Sequence, residues 1–88
     1  MSNAISINNS VLMGRLTRDP ELKYVNNIPI CTFKLAVARR TSGSEEKTDF
    51  IPCVAWREKA EFVGQWFSKG TLAIVIGQLT SRIWADEE

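Results

Sequence analysis

Histidine is absent from the 88 residues, which removes the side chain most often used for proton transfer near neutral pH and the commonest metal ligand. Cysteine occurs only twice, at Cys31 and Cys53, inside apolar runs and far from the close spacing of a metal or redox motif. The two thiols can be read as a redox pair or as metal ligands, or as two small buried hydrophobes in a reducing compartment. The second reading is the more economical, because a metal site needs more ligands than these. No metal and no cofactor are expected. No apolar run approaches the roughly 18 residues of a membrane span, and the start of the chain lacks the basic-then-apolar pattern of a signal peptide. The expectation is a cytoplasmic protein with no membrane partner. An excess of one charge is missing too. Eleven basic side chains face ten acidic ones, for a net charge of +1, so overall charge is silent about nucleic acid.

Catalytic signatures are equally scarce. There is no phosphate-cradling glycine loop, no dinucleotide fingerprint and no nucleophile elbow. The carboxylates fall in polar loops, on the surface of a helical segment and at Asp86, Glu87 and Glu88. An enzyme is not expected.

What is present is a distribution. Residues 15–59 carry nine basic against six acidic side chains, and the stretch 22–44 holds Lys23, Lys34, Arg39 and Arg40 with no carboxylate. Such a stripe fits a groove that follows phosphates, and it also fits an ordinary solvated strand face. The periodicity is mostly that of strands. Residues 10–16 read as a strand with Gly14 at a bulge or sharp bend. Residues 17–20 and the pair Asn26, Asn27 are turns, with a short strand segment near 22–25 between them. Residues 30–40 alternate, with Cys31, Phe33, Leu35 and Val37 on one parity. A polar loop follows, then a strand over 48–56. It places Ile51, Cys53 and Ala55 on one face, and Phe50, Pro52, Val54 and Trp56 on the other. Pro52 cannot donate to a ladder, which predicts an edge position or a bulge. The period changes over 57–69, where Ala60, Val63 and Phe67 fall at helical spacing. Phe62, Trp66 and Phe67 are expected to pack that helix onto the sheet, with Lys69 in its last turn. Residues 71–77 are apolar on both faces, which predicts a central strand, continued outward by 78–84. The order expected is three strands, one helix and a fourth strand.

The informative feature is where the aromatics fall. If Ile51, Cys53 and Ala55 face the core, Phe50 and Trp56 face out. Trp84 stands in a polar context two residues after Arg82. Large exposed rings among Arg39, Arg40, Arg57, Lys59 and Arg82 suit a stacking platform, since every base presents a π-face. The same rings could instead cover a subunit interface or fill a second core layer.

The run Val11-Leu-Met-Gly-Arg-Leu-Thr-Arg-Asp-Pro-Glu-Leu-Lys-Tyr24 resembles the opening strand and turn of bacterial single-stranded-DNA-binding proteins. Phe33-Lys-Leu-Ala-Val37, Thr48-Asp-Phe-Ile-Pro-Cys-Val-Ala-Trp56, Lys69-Gly70 and Gly77-Gln-Leu-Thr-Ser-Arg-Ile-Trp84 continue the likeness in order. The resemblance implies an oligonucleotide/oligosaccharide-binding fold over residues 9–88, a five-stranded Greek-key barrel with one helix, its last strand missing or shortened. Residues 1–8 stand outside it as a flexible segment or expression remnant. It further implies sequence-tolerant binding of single-stranded DNA in replication, recombination and repair, by a homo-oligomer, tetramer or dimer. The family's stacking aromatics fall on Phe50, Trp56 and Trp84. The basic residues Lys34, Arg39, Arg40, Arg57, Lys59 and Arg82 would follow the phosphates, and the stretch from Asn9 resembles the family's dimer-forming segment. Thr41 stands where the family commonly has a further aromatic. The chain stops where the family continues into a closing strand, and it lacks the acidic tip, so partners recruited through that tip are not expected. The alternative reading is a truncated module of the same fold that serves protein interaction and binds DNA weakly or not at all.

Overall fold

The computed structural model describes residues 5–43 and 45–80. Five strands and one helix follow in the order β1 (Ser10–Leu16), β2 (Glu21–Val25), β3 (Ile28–Arg40), β4 (Glu46–Trp56), α1 (Glu58–Trp66) and β5 (Leu72–Gly77). Four strands therefore precede the helix where the periodicity suggested three, because the short segment at 21–25 is a full antiparallel partner of β3. Its turn explains why. Asn26 and Asn27 both take positive φ, 52° and 66°, between paired Val25 and Ile28. A two-residue loop of that hand matches the right-handed twist of a hairpin, and asparagine tolerates it better than most residues.

The long β3 organises the sheet. Along one edge it pairs β4 without interruption, from Arg40 opposite Glu46 to Ile30 opposite Trp56. Along the other edge it pairs β2 over its first half, and then β1 at Ala36 and Leu35. β1 in turn pairs β5, so the sheet curls rather than lying flat. Gly14 is where the curl closes: a Cβ at this position would collide with the carbonyl oxygen of Ala36. The ladder runs through Pro52 unbroken. Lys34, opposite it, turns its carbonyl the other way to accept from the Thr17 amide at 3.0 Å. The proline nitrogen therefore faces the outer edge of β4, where among the described residues no strand pairs.

The core lies inside the curl. Leu16, Leu35 and Ala73 form one buried group, and Cys31, Ala60 and Val63 a second; Phe33 and Phe67 pack against both and join them. Both cysteines are free thiols, and burial pushes them above the usual thiol range.

Helix α1 is shorter than its periodicity suggested. It ends at Trp66, with Phe67 already extended and Lys69 beyond the helix. Ala60 and Val63 are its buried face, and Gly64 lies so close to β2 that a Cβ would come within 3.1 Å of the Leu22 side chain. Phe67 packs inward as expected. Phe62 and Trp66 do not: they are 55% and 65% exposed, because a helix of this length turns only one narrow stripe to the sheet. Tyr24 clamps β2 to the helix, its hydroxyl donating to Glu61 at 3.0 Å. That hydrogen bond is the main reason its phenol is held above the ordinary range.

β5 also departs from expectation. Among the described residues it pairs only β1, so it is an edge strand. Ala73 and Val75 support the core, while Leu72, Ile74 and Ile76 are exposed beside Val11 and Met13 of β1. Residues 78–80 are not strand; the rest of the expected extension, and the expected stop before a closing strand, fall outside the described residues.

Candidate nucleic-acid interface

The burial of β4 alternates along its inner half, with Ile51, Cys53 and Ala55 half-buried and Phe50, Pro52, Val54 and Trp56 exposed. Phe50 is 59% exposed and Trp56 55%. They lie six residues apart on one face, about 20 Å along the strand, with only Pro52 and Val54 between. The result is an open apolar strip with a ring at each end.

Register shows what lies beside it. Residues directly opposite in an antiparallel pair share a face. Ala36 therefore stands beside Phe50, Lys34 beside Pro52, Thr32 beside Val54 and Ile30 beside Trp56. One strand further, Glu21 stands beside Thr32 and Lys23 beside Ile30. The rows Lys23–Ile30–Trp56 and Glu21–Thr32–Val54 thus cross three strands on one surface. Arg40 is on the same face, opposite Glu46 near the hairpin end.

Arg39 is not. It has the parity of Val37 and Leu35, and its guanidinium donates to Asp49, Nε to Oδ2 at 2.8 Å and Nη2 to Oδ1 at 3.3 Å. The pairing holds the arginine above and the Asp49 carboxyl below their ordinary ranges. Its charge is largely committed on the far side of the ladder from the rings. Arg57 follows Trp56 at the head of α1 in a left-handed conformation, φ 61°, held by its amide's hydrogen bond to the Pro29 carbonyl at 2.9 Å. Lys59 is exposed in the first helical turn. Thr41 closes the hairpin loop, its hydroxyl donating to the Glu45 carbonyl at 2.8 Å. Arg82 and Trp84 lie outside the described residues.

Next to Phe50 the face deepens into a cleft of about 530 Å³, lined among others by Arg18, Glu21, Thr32, Lys34, Phe50 and Pro52. Its outer wall is the turn at 17–20, which is fastened from several sides. The Thr17 amide bonds Lys34, the Lys69 amide donates to Asp19 Oδ1 at 2.8 Å, and the Gly70 amide donates to Leu16. The sequence offers Lys23 only as part of the basic stripe, and Arg18 not at all. The register of β2 on β3 places Lys23 on the face of the strip, and the fold of the turn over the sheet brings in Arg18. Among the described residues no group of three or more potential ligands could hold a metal ion, and no helix is long and apolar enough to cross a membrane.

A family model described as the single-strand binding protein family matches residues 7–88. The chain belongs to that family. Its oligonucleotide/oligosaccharide-binding fold accords with the curled antiparallel sheet and single helix found here. Among curated proteins, the single-stranded DNA-binding protein of Halalkalibacterium halodurans is 46% identical over 85 residues, covering 93% of this chain and 51% of that protein. Single-stranded DNA-binding protein A of Bacillus subtilis is 45% identical, covering 93% and 49%. Single-stranded DNA-binding protein 1 of Streptococcus agalactiae serotype III (strain NEM316) is 42% identical, covering 93% and 52%. The chain thus spans about half the length of these relatives.

Proposed function

We propose that the chain binds single-stranded DNA non-catalytically and with little regard for sequence. Bases lie against Phe50 and Trp56, and phosphates meet Lys34, Lys23, Arg40, Arg57 and Lys59. The observation that carries this reading is the alternation of β4, which leaves two large rings uncovered on a face bordered by cations. Stacking contributes about 1–3 kcal/mol per base and is blind to base identity, while the cations make binding salt-dependent. The names of the relatives agree with this chemistry. Trp84 and Arg82 belong to the proposed site on sequence grounds, and Arg39 as a weaker contributor while Asp49 holds it. Roles in replication, recombination and repair, in the cytoplasm, follow from the same reading.

Self-association is the second part of the proposal. Val11 opposite Ile76, Met13 opposite Ile74, and Leu72 opposite Arg15 put five exposed apolar side chains on one face of the β1–β5 ribbon. A contiguous apolar face of this kind on so small a domain is better covered than wetted. A homo-oligomer, dimer or tetramer, would cover it.

Titration of tryptophan fluorescence with oligo(dT) tests the binding. Quenching that is lost on raising salt is expected. Absence of both quenching and binding at low salt would overturn the proposal and favour the protein-interaction module instead. Mass measurement of the assembly, alone and with oligonucleotide, tests the association.

A further inference from the structure

The cleft beside Phe50 contains a group that a purely phosphate-following surface would exclude. Glu21 is exposed and lines the same wall as Arg18 and Lys34, and among the described residues it forms no ion pair. A carboxylate there repels a phosphate backbone, so its place is better explained by what it can accept. We propose that this cleft takes one base of a bound strand, and that Glu21 favours at that position a base with an exocyclic amine over thymine or uracil. The inference rests on the single-strand-binding reading above and deepens it.

The geometry has three parts. The Phe50 ring and Pro52 supply an apolar surface on which a base can lie. Arg18 and Lys34 flank it, able to neutralise the phosphates on either side. Glu21, in the row of Thr32 and Val54, is left to meet the edge of the base. An ionised carboxylate only accepts. Cytosine, adenine and guanine each offer it an amino group, whereas thymine turns its O4 acceptor to the place where cytosine has its N4 amine. The Thr32 hydroxyl, in the same row, can donate or accept. The other carboxylate at the cleft, Asp19, is engaged by the amide of Lys69. That contact and those of Thr17 and Gly70 fasten the turn, so the cleft has a fixed outer wall against which one base shape can be compared with another. A volume of about 530 Å³ falls within the range of small-molecule sites, large enough for a nucleotide.

The test compares oligo(dC) with oligo(dT) of one length, at mildly alkaline pH where cytosine is unprotonated, on the full chain and its Glu21→Gln and Glu21→Ala variants. The readout is the ratio of the two dissociation constants, in which the general gain from removing a negative charge cancels. Both variants are expected to shift the ratio toward oligo(dT) by about fivefold, the lower end of what one good base-edge contact discriminates. Lys34→Ala should weaken both oligonucleotides alike and leave the ratio in place. If both oligonucleotides bind and the ratio stays within about twofold of the parent's, the inference fails and the binding reading stands. If neither binds to the parent chain, both fail.

Discussion

Lys23 and Trp56 stand in one row of the sheet, on either side of Ile30. The row places a cation across the sheet from an exposed indole 33 residues away in sequence. Two rings and a line of cations on one face make measurable demands.

Phe50→Ala and Trp56→Ala should each weaken binding of oligo(dT) by about 1–3 kcal/mol. Both side chains are more than half exposed, so thermal unfolding should move little. Anisotropy titration of a labelled oligonucleotide, with circular dichroism as the control for folding, decides the matter. A loss of binding accompanied by a loss of fold would mean that the rings hold the sheet together instead.

Charge should discriminate Lys34 from Arg39. Lys34 stands beside the strip, so Lys34→Ala should reduce the slope of log affinity against log salt by about one. Arg39 is bound to Asp49 on the other parity, and Arg39→Ala should change the slope by distinctly less. Equal slopes for the two variants would mean that the Arg39–Asp49 pair opens when DNA arrives.

Much of this was legible in the residues and some was not. The alternation over 48–56 needed only a period of two, so the outward facing of Phe50 and Trp56 could be read directly. So could the inward Phe33, and the turn at Asn26 and Asn27. Arg39 could not be placed, because its partner lies across a hairpin and only register shows that the two side chains share a face. Trp66 and Phe62 have the size and apolarity of packing residues, but a nine-residue helix has too little surface facing the sheet to bury them all. β5 looked central for a related reason. Apolar residues on both faces mean burial on both faces only if a second surface arrives to cover Ile74 and Ile76.

Gly14→Ala should destabilise the domain by about 1–3 kcal/mol. The new methyl group would meet the Ala36 carbonyl where β1 turns onto β3, with a Val37 side-chain methyl also close, and a carbonyl held in the sheet cannot swing aside as a side-chain tip can. Denaturant unfolding measures this; an unchanged midpoint would show that β1 can move away from β3 at no cost.

Arg57 offers the opposite case. Its φ of 61° is a conformation that costs a side-chain-bearing residue about 1–3 kcal/mol and glycine very little. Arg57→Gly should therefore raise the unfolding midpoint while weakening oligonucleotide binding. If stability and affinity fall together, the arginine side chain contributes to folding in a way its exposure does not reveal.

Acidification should act at the far end of the β3–β4 hairpin. The Asp49 carboxyl is held below its ordinary range chiefly by the hydrogen bonds from Arg39, with partial desolvation opposing them and the guanidinium charge adding to them. A carboxyl depressed in the folded state contributes its full stabilisation above the unfolded value, about pH 4, and loses it as pH falls through the folded value. Backbone chemical shifts near Thr48 and Arg39 should therefore show local loosening on acidification, and Asp49→Asn should abolish that dependence. Loosening on raising the pH instead would contradict the pairing.

The carbonyl that Lys34 directs to Thr17 has a last consequence. It makes Lys34 and Pro52 a pair without mutual hydrogen bonds, so the even-numbered amides of β4, at Phe50, Val54 and Trp56, point away from β3 as the proline nitrogen does. Deuterium should enter those three positions quickly while Ile51, Cys53 and Ala55, between them, keep their protons. One strand would then carry two exchange rates in strict alternation, and the fast set would slow only when something, nucleic acid or polypeptide, comes to lie along that border.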